Sequence, residues 1–600
     1  MNLSRPALRA GATAIGALLL AATSAPAGSS PTCVPSSTSL CLSDARYRVE
    51  VLFQPPGASS MMPGQAVSLT SDTGYFWFFS ASNIELIVKA LNGCAINGHE
   101  WVFAGGLTNV QLDLAVTDTV TNIVRHYTNA AGTAFEPVQD TSAFDCSAAA
   151  AYDWPQFGFD AAHSGHNPLE SAVSRGNVAS LARVYSVHLP EIADGAPVLA
   201  AGVATSSGTK DLLFLTTKAG RLVALDARTG ATVWSTTPPA GPKYTTSSPV
   251  LDPGRQFVYG YALDGFVHKY GIADGHEITS GGWPELTTLK PDVEKGSSAL
   301  GFAAVGSETY VYMPNGGYPG DQGDYQGHVT TIRLSDGSQK VFNANCSDRA
   351  IHFDESGGAN DCPHVQSAVW ARPGVVYDAR TGRIYAVTGN GDFDGNAGGH
   401  DWGDTVFALT PDGAGSGGNP LDTYTPTNYQ DLDDSDLDLG STAPALLPIS
   451  DTRVVHALAL QSGKDSMLRL LDLANLSGQG GPSHVGGEIQ ILPLPHGGPV
   501  LTQPAVWTNP ADGSVWVFVA NGAAINGLQV VVDGSGNPTL VSRWTVGTMG
   551  SSPIVVNDMV FVASSQRIAA LDPTTGVTLW SDAGIAGIHW ESPILANGIL

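Results

Sequence analysis

The residues whose types and spacing point most directly to chemistry lie in a glycine-rich segment near position 390. Asn390, Asp392 and Asp394 alternate with other residues, Gly395 follows, and Asp401 comes after five further positions. Alternating side-chain oxygens on a tight turn are hard ligands that suit Ca²⁺, and the spacing matches an EF-hand-like calcium loop. The predicted metal ligands are therefore Asn390, Asp392, Asp394 and Asp401. Because flanking helices are not expected here, an acidic surface loop is the alternative.

Two other segments carry candidate chemistry. Asp431–Asp438 is an acidic run, which is also typical of a solvated charged loop. His163 and His166 could ligate a metal three residues apart, but without further ligands this segment is better interpreted as a strap. No Ser-His-Asp arrangement and no phosphate-binding glycine loop stands out.

The six cysteines point to disulfides rather than to a metal or haem. An even number of cysteines in an exported chain is typical of disulfide pairing, although sequence alone does not select the connectivity. Proximity along the chain suggests Cys33–Cys41, Cys94–Cys146 and Cys346–Cys362. No Cys-x-x-Cys-His motif occurs, so no haem is expected.

The N-terminus reads as a signal peptide over residues 1–27. Arg5 and Arg9 precede a short apolar run at 11–22, and small residues at 25–27 form a cleavage site. The run is too short for a stable transmembrane anchor, and no later stretch approaches about 20 apolar residues. We therefore expect an extracytoplasmic protein, periplasmic or secreted.

Composition favours an all-β fold. Glycine makes up 70 of the 600 residues, and charged residues are only 14%, against roughly 25% in ordinary domains. A hydrophobic content of 43% excludes a disordered chain. The net charge of −26 repels phosphate backbones, so no nucleic-acid partner is expected.

The first part of the chain predicts a small domain. Residues 28–42 are a Ser/Thr/Pro-rich linker, and 43–147 contain short alternating strands typical of a disulfide-stapled β-sandwich. Trp77 and Trp101 could bind a surface or a glycan, but their place within strand patterns favours the core. Residues 148–194 are predicted to form a linker, a strap and a closing outer strand.

Residues 195–600 are repetitive, and the repeat predicts the fold. Segments 221–234 and 567–580 nearly coincide, each a strand, a Thr-Gly turn and a strand ending in Trp. A proline followed by aliphatic residues recurs at Pro197, Pro249, Pro444, Pro504, Pro553 and Pro593. With two further starts near Ala299 and Val369, these mark the eight blades of an eight-bladed β-propeller.

The two ends of this region bear on ring closure. Residues 181–187 share the pattern of 540–546, which closes a blade, yet no blade precedes them. We expect 181–187 to complete the last blade. Since Leu600 falls within the first strand of the eighth blade, we also expect that blade to be truncated and the natural protein to be longer.

The pattern Ala-x-Asp-x-x-Thr-Gly-x-x-x-Trp at 224–234 and 570–580 resembles the tryptophan-docking repeat of quinoprotein dehydrogenases. Those proteins are eight-bladed propellers that hold pyrroloquinoline quinone (PQQ) on the axis. The same superfamily contains non-catalytic propellers, such as the outer-membrane assembly lipoprotein. The resemblance therefore implies a quinoprotein-like fold but leaves the chemistry open.

The resemblance also implies a site. Within 370–390, Trp370 corresponds to the residue that stacks under PQQ, and Asn390 to a ligand of the calcium bound to the quinone. Asp436 or Asp438 corresponds to the catalytic base. The vicinal disulfide of the alcohol dehydrogenases is missing, and neither the glutamate calcium ligand nor the quinone-contacting arginine can be placed.

Two functions follow as expectations. The first is an exported, non-catalytic binding or scaffold propeller whose partner is an envelope protein. The alternative is a PQQ- and Ca²⁺-dependent dehydrogenase that oxidises a small-molecule alcohol. The sequence favours the first function and supplies the more specific site for the second.

Overall fold

The computed structural model describes residues 33, 35–43, 46–119, 123–145, 151–238, 243–354, 357–449, 453–585, 587–589 and 591–600. The chain divides into two compact units, 1–150 and 151–600. The predicted signal peptide lies outside the described residues. Within the described ranges, no helix is long and apolar enough to cross a membrane.

The first unit consists of two antiparallel sheets whose buried faces form one hydrophobic core. Side chains alternate between the two faces of each strand, so one face of each sheet is buried; in Tyr47–Gln54, for example, every second residue is buried. One sheet contains β1 (Ser39–Leu42), β2 (Tyr47–Gln54), β3 (Met62–Pro63), β8 (Gln111–Asp118) and β9 (Val124–Asn129). The other contains β4 (Gln65–Ser68), β5 (Thr73–Trp77), β6 (Leu86–Gly93), β7 (His99–Gly106) and β10 (Val138–Asp145).

The predicted linker at 28–42 is wrong at its C-terminal end. Strand β1 lies within that range and pairs with β2. Leu40 and Leu42 are buried in the core, and this burial holds the segment against the sheet. The Cys33–Cys41 disulfide is confirmed, whereas Cys146 lies outside the described residues.

The expected core positions of Trp77 and Trp101 are also wrong. Both indoles are half-buried and lie outside the core cluster. Because side chains alternate along a strand, the buried Phe76 and Val102 take the inward positions beside them.

The second unit contains seven antiparallel sheets among its described residues, which we number ring sheets 1 to 7 in chain order. Sheet 1 is β12 (Val198–Thr205), β13 (Gly208–Thr216), β14 (Leu222–Asp226) and β15 (Thr232–Ser235). Sheet 2 is β16 (Val250–Leu251), β17 (Phe257–Tyr261), β18 (Phe266–Gly271) and β19 (Glu285–Leu286). Sheet 3 is β20 (Glu294–Lys295), β21 (Gly301–Val305), β22 (Glu308–Gly317), β23 (His328–Arg333) and β24 (Gln339–Asn343).

The other four sheets repeat this four-stranded pattern. Sheet 4 is β25 (Val376–Asp378), β26 (Arg383–Val387), β27 (Val406–Leu409) and β28 (Asp422–Tyr424). Sheet 5 is β29 (Ala445–Leu446), β30 (Leu458–Ser462), β31 (Met467–Asp472) and β32 (Gln490–Pro493). Sheet 6 is β33 (Ala505–Thr508), β34 (Val515–Ala520), β35 (Ile525–Val532) and β36 (Pro538–Val546). Sheet 7 is β37 (Ile554–Val556), β38 (Met559–Ser564), β39 (Arg567–Leu571) and β40 (Thr578–Asp582), and β11 (His166–Asn167) pairs with β37 in parallel.

Helices are few and short in the described ranges. The α-helices are α1 (Cys94–Asn97) and α2 (Tyr429–Asp434), and the 3-10 helices are Val178–Ser180, Gly395–Ala397 and Leu439–Ser441. The acidic run that begins at Asp431 is therefore partly helical, since α2 contains its first residues.

Each ring sheet packs on the next through a shared apolar layer. Tyr259 of sheet 2 and Ile332 of sheet 3 lie in one cluster, and similar clusters join every later pair. A further cluster contains Leu199 of sheet 1 and Phe561 of sheet 7. The succession of sheets therefore returns to its starting point, as in a propeller.

The repeated tryptophans link neighbouring sheets. Trp234 Nε1 donates to the carbonyl of Ile272 in the next sheet at 3.0 Å, and Trp544 Nε1 donates to that of Pro573 at 2.8 Å. A Cβ at Gly275 would lie 2.6 Å from the Trp234 ring. The glycine of the turn is needed because the indole of the preceding sheet rests on its backbone.

Most of the predicted starts locate the strands closely. The exceptions are the start near Val369, since the first strand of sheet 4 begins only at Val376, and the eighth blade. At five of the prolines the first strand begins at the next residue: Val198, Val250, Ala445, Ala505 and Ile554. After Pro593 the described residues form only the isolated bridge Ala596–Ile599. Leu595 and Ala596 nonetheless pack in the cluster between sheets 7 and 1.

The closing outer strand predicted at 181–187 is not a strand in the structure. A strand needs a neighbour to share its hydrogen bonds, and the described residues provide none beside this segment. The segment is instead held by side chains. Tyr185 Oη donates to the carbonyl of Ala227 at 2.8 Å, and a Cβ at Gly230 would lie 2.7 Å from the Tyr185 ring. Tyr185 thus occupies on sheet 1 the position that Trp544 occupies on sheet 7.

Candidate functional site

Trp370 lies in the loop before β25, beside a lysine from the next sheet. Its ring is half-buried, and Lys464 Nζ lies 5.4 Å from the ring centroid. Lys464 follows β30, so two successive ring sheets supply the pair. An ammonium over an indole face is a favourable cation–π contact.

Asn390 follows β26, and its backbone and side chain both face the segment before β29. Its N–H donates to Asp438 Oδ1 at 2.7 Å, and Nδ2 donates to Asp436 Oδ1 at 3.2 Å. Its Oδ1 is buried without a hydrogen-bond partner. A Cβ at Gly389 would lie 2.1 Å from Asp438 Oδ1 and 3.1 Å from Trp370 Nε1, so glycine permits this close approach.

The two candidate base residues differ in their surroundings. Asp438 is buried and pairs with Lys464 through Oδ2. Burial raises the pKa of Asp438, and the Lys464 ammonium opposes that rise. Asp436 is mostly exposed, and its Oδ1 lies 2.6 Å from Lys464 Nζ. The structure therefore brings Trp370, Asn390 and Asp438 together, with Asp436 at the edge.

Two further residues belong to this cluster although the sequence did not indicate them. Lys464 follows a strand and a glycine, as Asn390 does. This shared sequence position could have identified Lys464 as a site residue. Asp404 is buried and accepts the Leu439 N–H at 2.8 Å through Oδ1. Burial raises the pKa of Asp404 well above its usual range.

Asn315, at the end of ring sheet 3, is a third residue that sequence reasoning missed. Its side-chain nitrogen and oxygen are both buried without a hydrogen-bond partner, and its carbonyl accepts the Val369 N–H at 3.3 Å. The amide therefore lies next to the segment that carries Trp370. Only tertiary packing reveals it, because nothing in the local sequence distinguishes this asparagine.

The four residues of the predicted calcium loop do not converge on one point, because Asp392 and Asp401 face His364 whereas Asn390 faces Asp438. His364 Nδ1 lies 2.9 Å from Asp392 Oδ2 and 3.2 Å from Asp401 Oδ2, while Asp394 Oδ1 accepts the Asp401 N–H at 2.9 Å. Asn390 faces Asp438 instead. Among the described residues, no group of three or more His, Cys, Asp or Glu side chains is arranged as a metal site. Calcium binding at this loop stays a prediction.

The Cys346–Cys362 disulfide is confirmed, and it anchors the same region. The Cys346 N–H donates to Asp401 Oδ1 at 2.9 Å. His163 is buried, with Nδ1 2.6 Å from the Phe157 carbonyl and Nε2 3.0 Å from that of Val375. These contacts fit the strap interpretation.

Comparison with known proteins supports the propeller. Residues 154–252 match the family model described as the β-propeller domain of PQQ glucose/ethanol/alcohol dehydrogenases. This match covers ring sheet 1 and the first strand of sheet 2, and it agrees with the resemblance to quinoprotein repeats. A search of curated proteins found no match.

Solved structures resemble the chain at the level of fold. A europium-containing methanol dehydrogenase matches with a TM-score of 0.53 and 16% identity, over 73% of this chain and 86% of that one. The quinohemoprotein alcohol dehydrogenase of Comamonas testosteroni matches with a TM-score of 0.51 and 17% identity, over 73% and 74%. One from Pseudomonas putida HK5 matches with a TM-score of 0.51 and 16% identity, over 73% of each chain. At this identity the likeness establishes an all-β, propeller-like fold.

Proposed function

We propose that this chain is an exported dehydrogenase that uses PQQ and Ca²⁺ to oxidise an alcohol-type substrate. The observation that carries the proposal is the proximity of Trp370, Asn390 and Asp438. The quinoprotein resemblance points to the first two residues and to either Asp436 or Asp438. Trp370, Asn390 and Asp438 are 68 positions apart at most, on two ring sheets, so their proximity is a property of the fold.

The donor set fits a quinone and a hard cation. The unpartnered Oδ1 of Asn390 is a neutral oxygen suited to Ca²⁺, next to the Asp438 carboxylate. The Trp370 face offers a stacking surface, and Lys464 offers a cation in the place of the quinone-contacting arginine. Glycine at 389 and 391 keeps the surrounding backbone free of side chains.

The chain's own residues would bind and orient the reactants and take up a proton. PQQ with Ca²⁺, when bound, supplies a polarised quinone carbonyl that accepts hydride from the alcohol carbon. The Asp438 carboxylate would accept the proton of the substrate hydroxyl. Lys464 holds that carboxylate through an ion pair and fixes its orientation. Trp370 holds the ring system by stacking.

Titration of the purified full chain with PQQ and Ca²⁺, followed by dye-linked oxidation of primary alcohols, tests the proposal. Asp438→Asn should retain quinone binding within about tenfold and lose at least about 100-fold in kcat, the scale of general-base catalysis. Trp370→Ala should lose quinone binding. Asp336→Asn, on the β23–β24 turn, is the control. Failure of the wild type to bind PQQ would overturn the proposal.

The second candidate function is the non-catalytic binding propeller. One observation favours it: the polar groups of the site already pair with one another, since Lys464 contacts both Asp436 and Asp438 and Asn390 binds both. Such a network can be purely structural. A chain that binds no quinone but recovers an envelope protein from its own host would support this function.

We also propose that the ring has eight blade positions and that the protein acts outside the cytoplasm. Residues 592–600 start the eighth position, and Tyr185 caps sheet 1 as a docking tryptophan would. The two disulfides support an oxidising compartment. Mass spectrometry of the mature N-terminus, with cleavage expected after residue 27, tests the export.

A further inference from the structure

A second group of charged and aromatic residues lies at strand ends and in connecting loops of ring sheets 1 to 3. Lys243 and Tyr244 precede β16, Lys295 ends β20, and Tyr318 follows β22. The two tyrosine rings stand edge to face with centroids 6.0 Å apart. Lys218, from sheet 1, completes the group.

The ammonium groups lie over the tyrosine faces. Lys295 Nζ is 4.1 Å from the Tyr244 centroid and 5.3 Å from that of Tyr318. Lys243 Nζ is 4.3 Å from the Tyr318 centroid, and Lys218 Nζ is 5.1 Å from that of Tyr244. Two aromatic faces are therefore shared by three cations.

Lys295 is the most unusual of these groups. It is only 3% exposed, and the structure shows no ion pair between Lys295 and any described carboxylate. Burying an ammonium without a carboxylate is costly, and a tyrosine face offsets only part of that cost. Burial, together with the charge of Arg372, lowers the pKa of Lys295 to about 7.

Arg372 brings a fourth positive charge from the segment that also carries Trp370. Its guanidinium donates to the Thr246 carbonyl at 2.9 Å and to the Ser297 carbonyl at 3.3 Å, so it is buried and fixed. The carboxylates whose charges act on Arg372 are Asp194 and Glu591, and the charge of Asp292 acts on Tyr318. Asp194 already pairs with Lys218 at 3.1 Å and His589 at 3.0 Å.

We propose that Lys243, Lys295 and Arg372, walled by Tyr244 and Tyr318, form a binding site for a small polyanion that carries carboxylate groups. Four basic side chains beside three carboxylates, in a chain of net charge −26, concentrate positive charge where the protein is otherwise negative. An anion between the lysines would supply the countercharge that Lys295 lacks. Lys243 is exposed and Lys218 is partly exposed, so the group is open to solvent on that side.

This inference goes beyond the proposed function, because no residue of the site is among those assigned above to the quinone. Carboxylate groups could come from a free polycarboxylate or from the quinone, which is itself a tricarboxylic acid. Calorimetric titration of the full chain with citrate, in the absence of PQQ and Ca²⁺, probes the shared chemistry. We expect saturable binding that Lys295→Met weakens at least tenfold.

The matched control is Lys269→Met. Lys269 also lies over aromatic rings, 4.1 Å from the Phe257 centroid and 5.4 Å from that of Trp283, but it belongs to β18 and lacks the neighbouring cations. Its replacement should leave citrate binding unchanged. Since Lys295 is buried, the exposed Lys243→Gln serves as a second variant, with an expected loss of at least threefold.

A second readout is the reactivity of the Lys295 amine. Competitive acetylation with mass spectrometry should show Lys295 reacting at neutral pH and protected by citrate, while Lys269 is not protected. No citrate binding up to 10 mM (about 100 times a typical metabolite KM), or equal affinity in Lys295→Met, would overturn the inference.

A further titration with PQQ distinguishes the two possible origins of the bound carboxylate groups, a free polycarboxylate or the quinone. Competition between PQQ and citrate, both weakened by Lys295→Met, assigns the site to the carboxylates of the quinone. Citrate binding that depends on Lys295 without such competition assigns it to a separate anion, and both results support the inference. If citrate binds as expected and PQQ does not bind at all, the proposed function fails while this inference stands.

Discussion

The backbone N–H of Asn390 donates to Oδ1 of Asp438 at 2.7 Å, although the two residues are 48 positions apart and belong to different ring sheets. The bond joins the end of β26 to the segment before β29. It places the free Oδ1 of Asn390 and the Asp438 carboxylate in one polar cluster. The candidate catalytic and cation-binding groups are therefore mutually positioned by the packing of successive sheets.

Replacing Lys464 with Met should weaken both stability and quinone binding. The change leaves the buried Asp438 carboxylate without its cation and removes the charge over Trp370. Because Lys464 is partly exposed, we expect a loss of about 1–3 kcal/mol in the free energy of unfolding. Urea denaturation and PQQ titration measure the two effects. Lys464→Arg should restore most of both, and a Met variant as stable as wild type would contradict the ion-pair role.

The two candidate calcium positions make opposite predictions. If the cluster of Asn390 and Asp438 holds the cation, Asn390→Ala should weaken Tb³⁺ or Ca²⁺ binding at least about tenfold, the lower end for loss of an interaction that orients a metal. If the loop holds it, Asp394→Asn should do so instead. Terbium luminescence of the full chain, with Ca²⁺ competition, separates them. Binding unchanged in both variants would refute both positions.

Stability should depend on pH through Lys295. Burial and the charges of Arg372, Lys218 and Lys243 outweigh Asp194 and lower the pKa to about 7 from an ordinary value of 10.5. Between these values the unfolded chain binds more protons, so the lysine's contribution to stability rises with pH, and its penalty is complete below about 7. Lys295→Met should therefore be more stable than wild type in citrate-free buffer.

The expected gain in Tm of Lys295→Met over the wild type is about 1–4 °C at pH 6, and this gain should become smaller towards pH 10. Differential scanning calorimetry across this range checks it. Lys269→Met provides the comparison, and a gain that is the same at pH 6 and pH 10 would show that packing, rather than charge, is responsible.

Tyr185 should contribute to ring closure as a docking tryptophan does. Tyr185→Ala removes the ring from Gly230 and the hydrogen bond to the Ala227 carbonyl. For a half-buried aromatic we expect a cost of about 1–3 kcal/mol. Denaturant titration should show a similar loss for Trp544→Ala, which removes the same contact between sheets 6 and 7. Tyr75→Ala, in the first unit, controls for general destabilisation.

Much of the fold could be predicted because successive blades of a propeller repeat similar sequence patterns. A proline precedes the aliphatic residues at six of the eight predicted starts, and the Thr-Gly turn before Trp occurs in two copies. Five first strands begin at the residue after such a proline. The segment 181–187 illustrates the limit. Its pattern matched an outer strand, but a strand exists only when a neighbour shares its hydrogen bonds, and the described residues place none there.

The candidate site was likewise predictable from the sequence only in part. Residue type and resemblance were enough to select Trp370, Asn390 and the pair Asp436 and Asp438, because each lies in a recognisable segment. The sequence could not choose between Asp436 and Asp438, and it grouped Asn390 with the loop carboxylates of Asp392 and Asp401. The structure distinguishes these residues by burial and contacts: Asp438 is enclosed beside Lys464 whereas Asp436 is mostly exposed, and Asp392 and Asp401 turn towards His364.

The sequence by itself determined the all-β class, the repeat and the residue types available for chemistry, because these depend on local period and composition. Only the tertiary structure decided which charges meet. Lys464 lies over Trp370, and Lys295 and Lys243 lie over two tyrosines while the charge of Arg372 acts on Lys295, although these residues belong to different ring sheets. Electrostatic interactions and desolvation act through distance in space, and that distance is set by how the sheets pack.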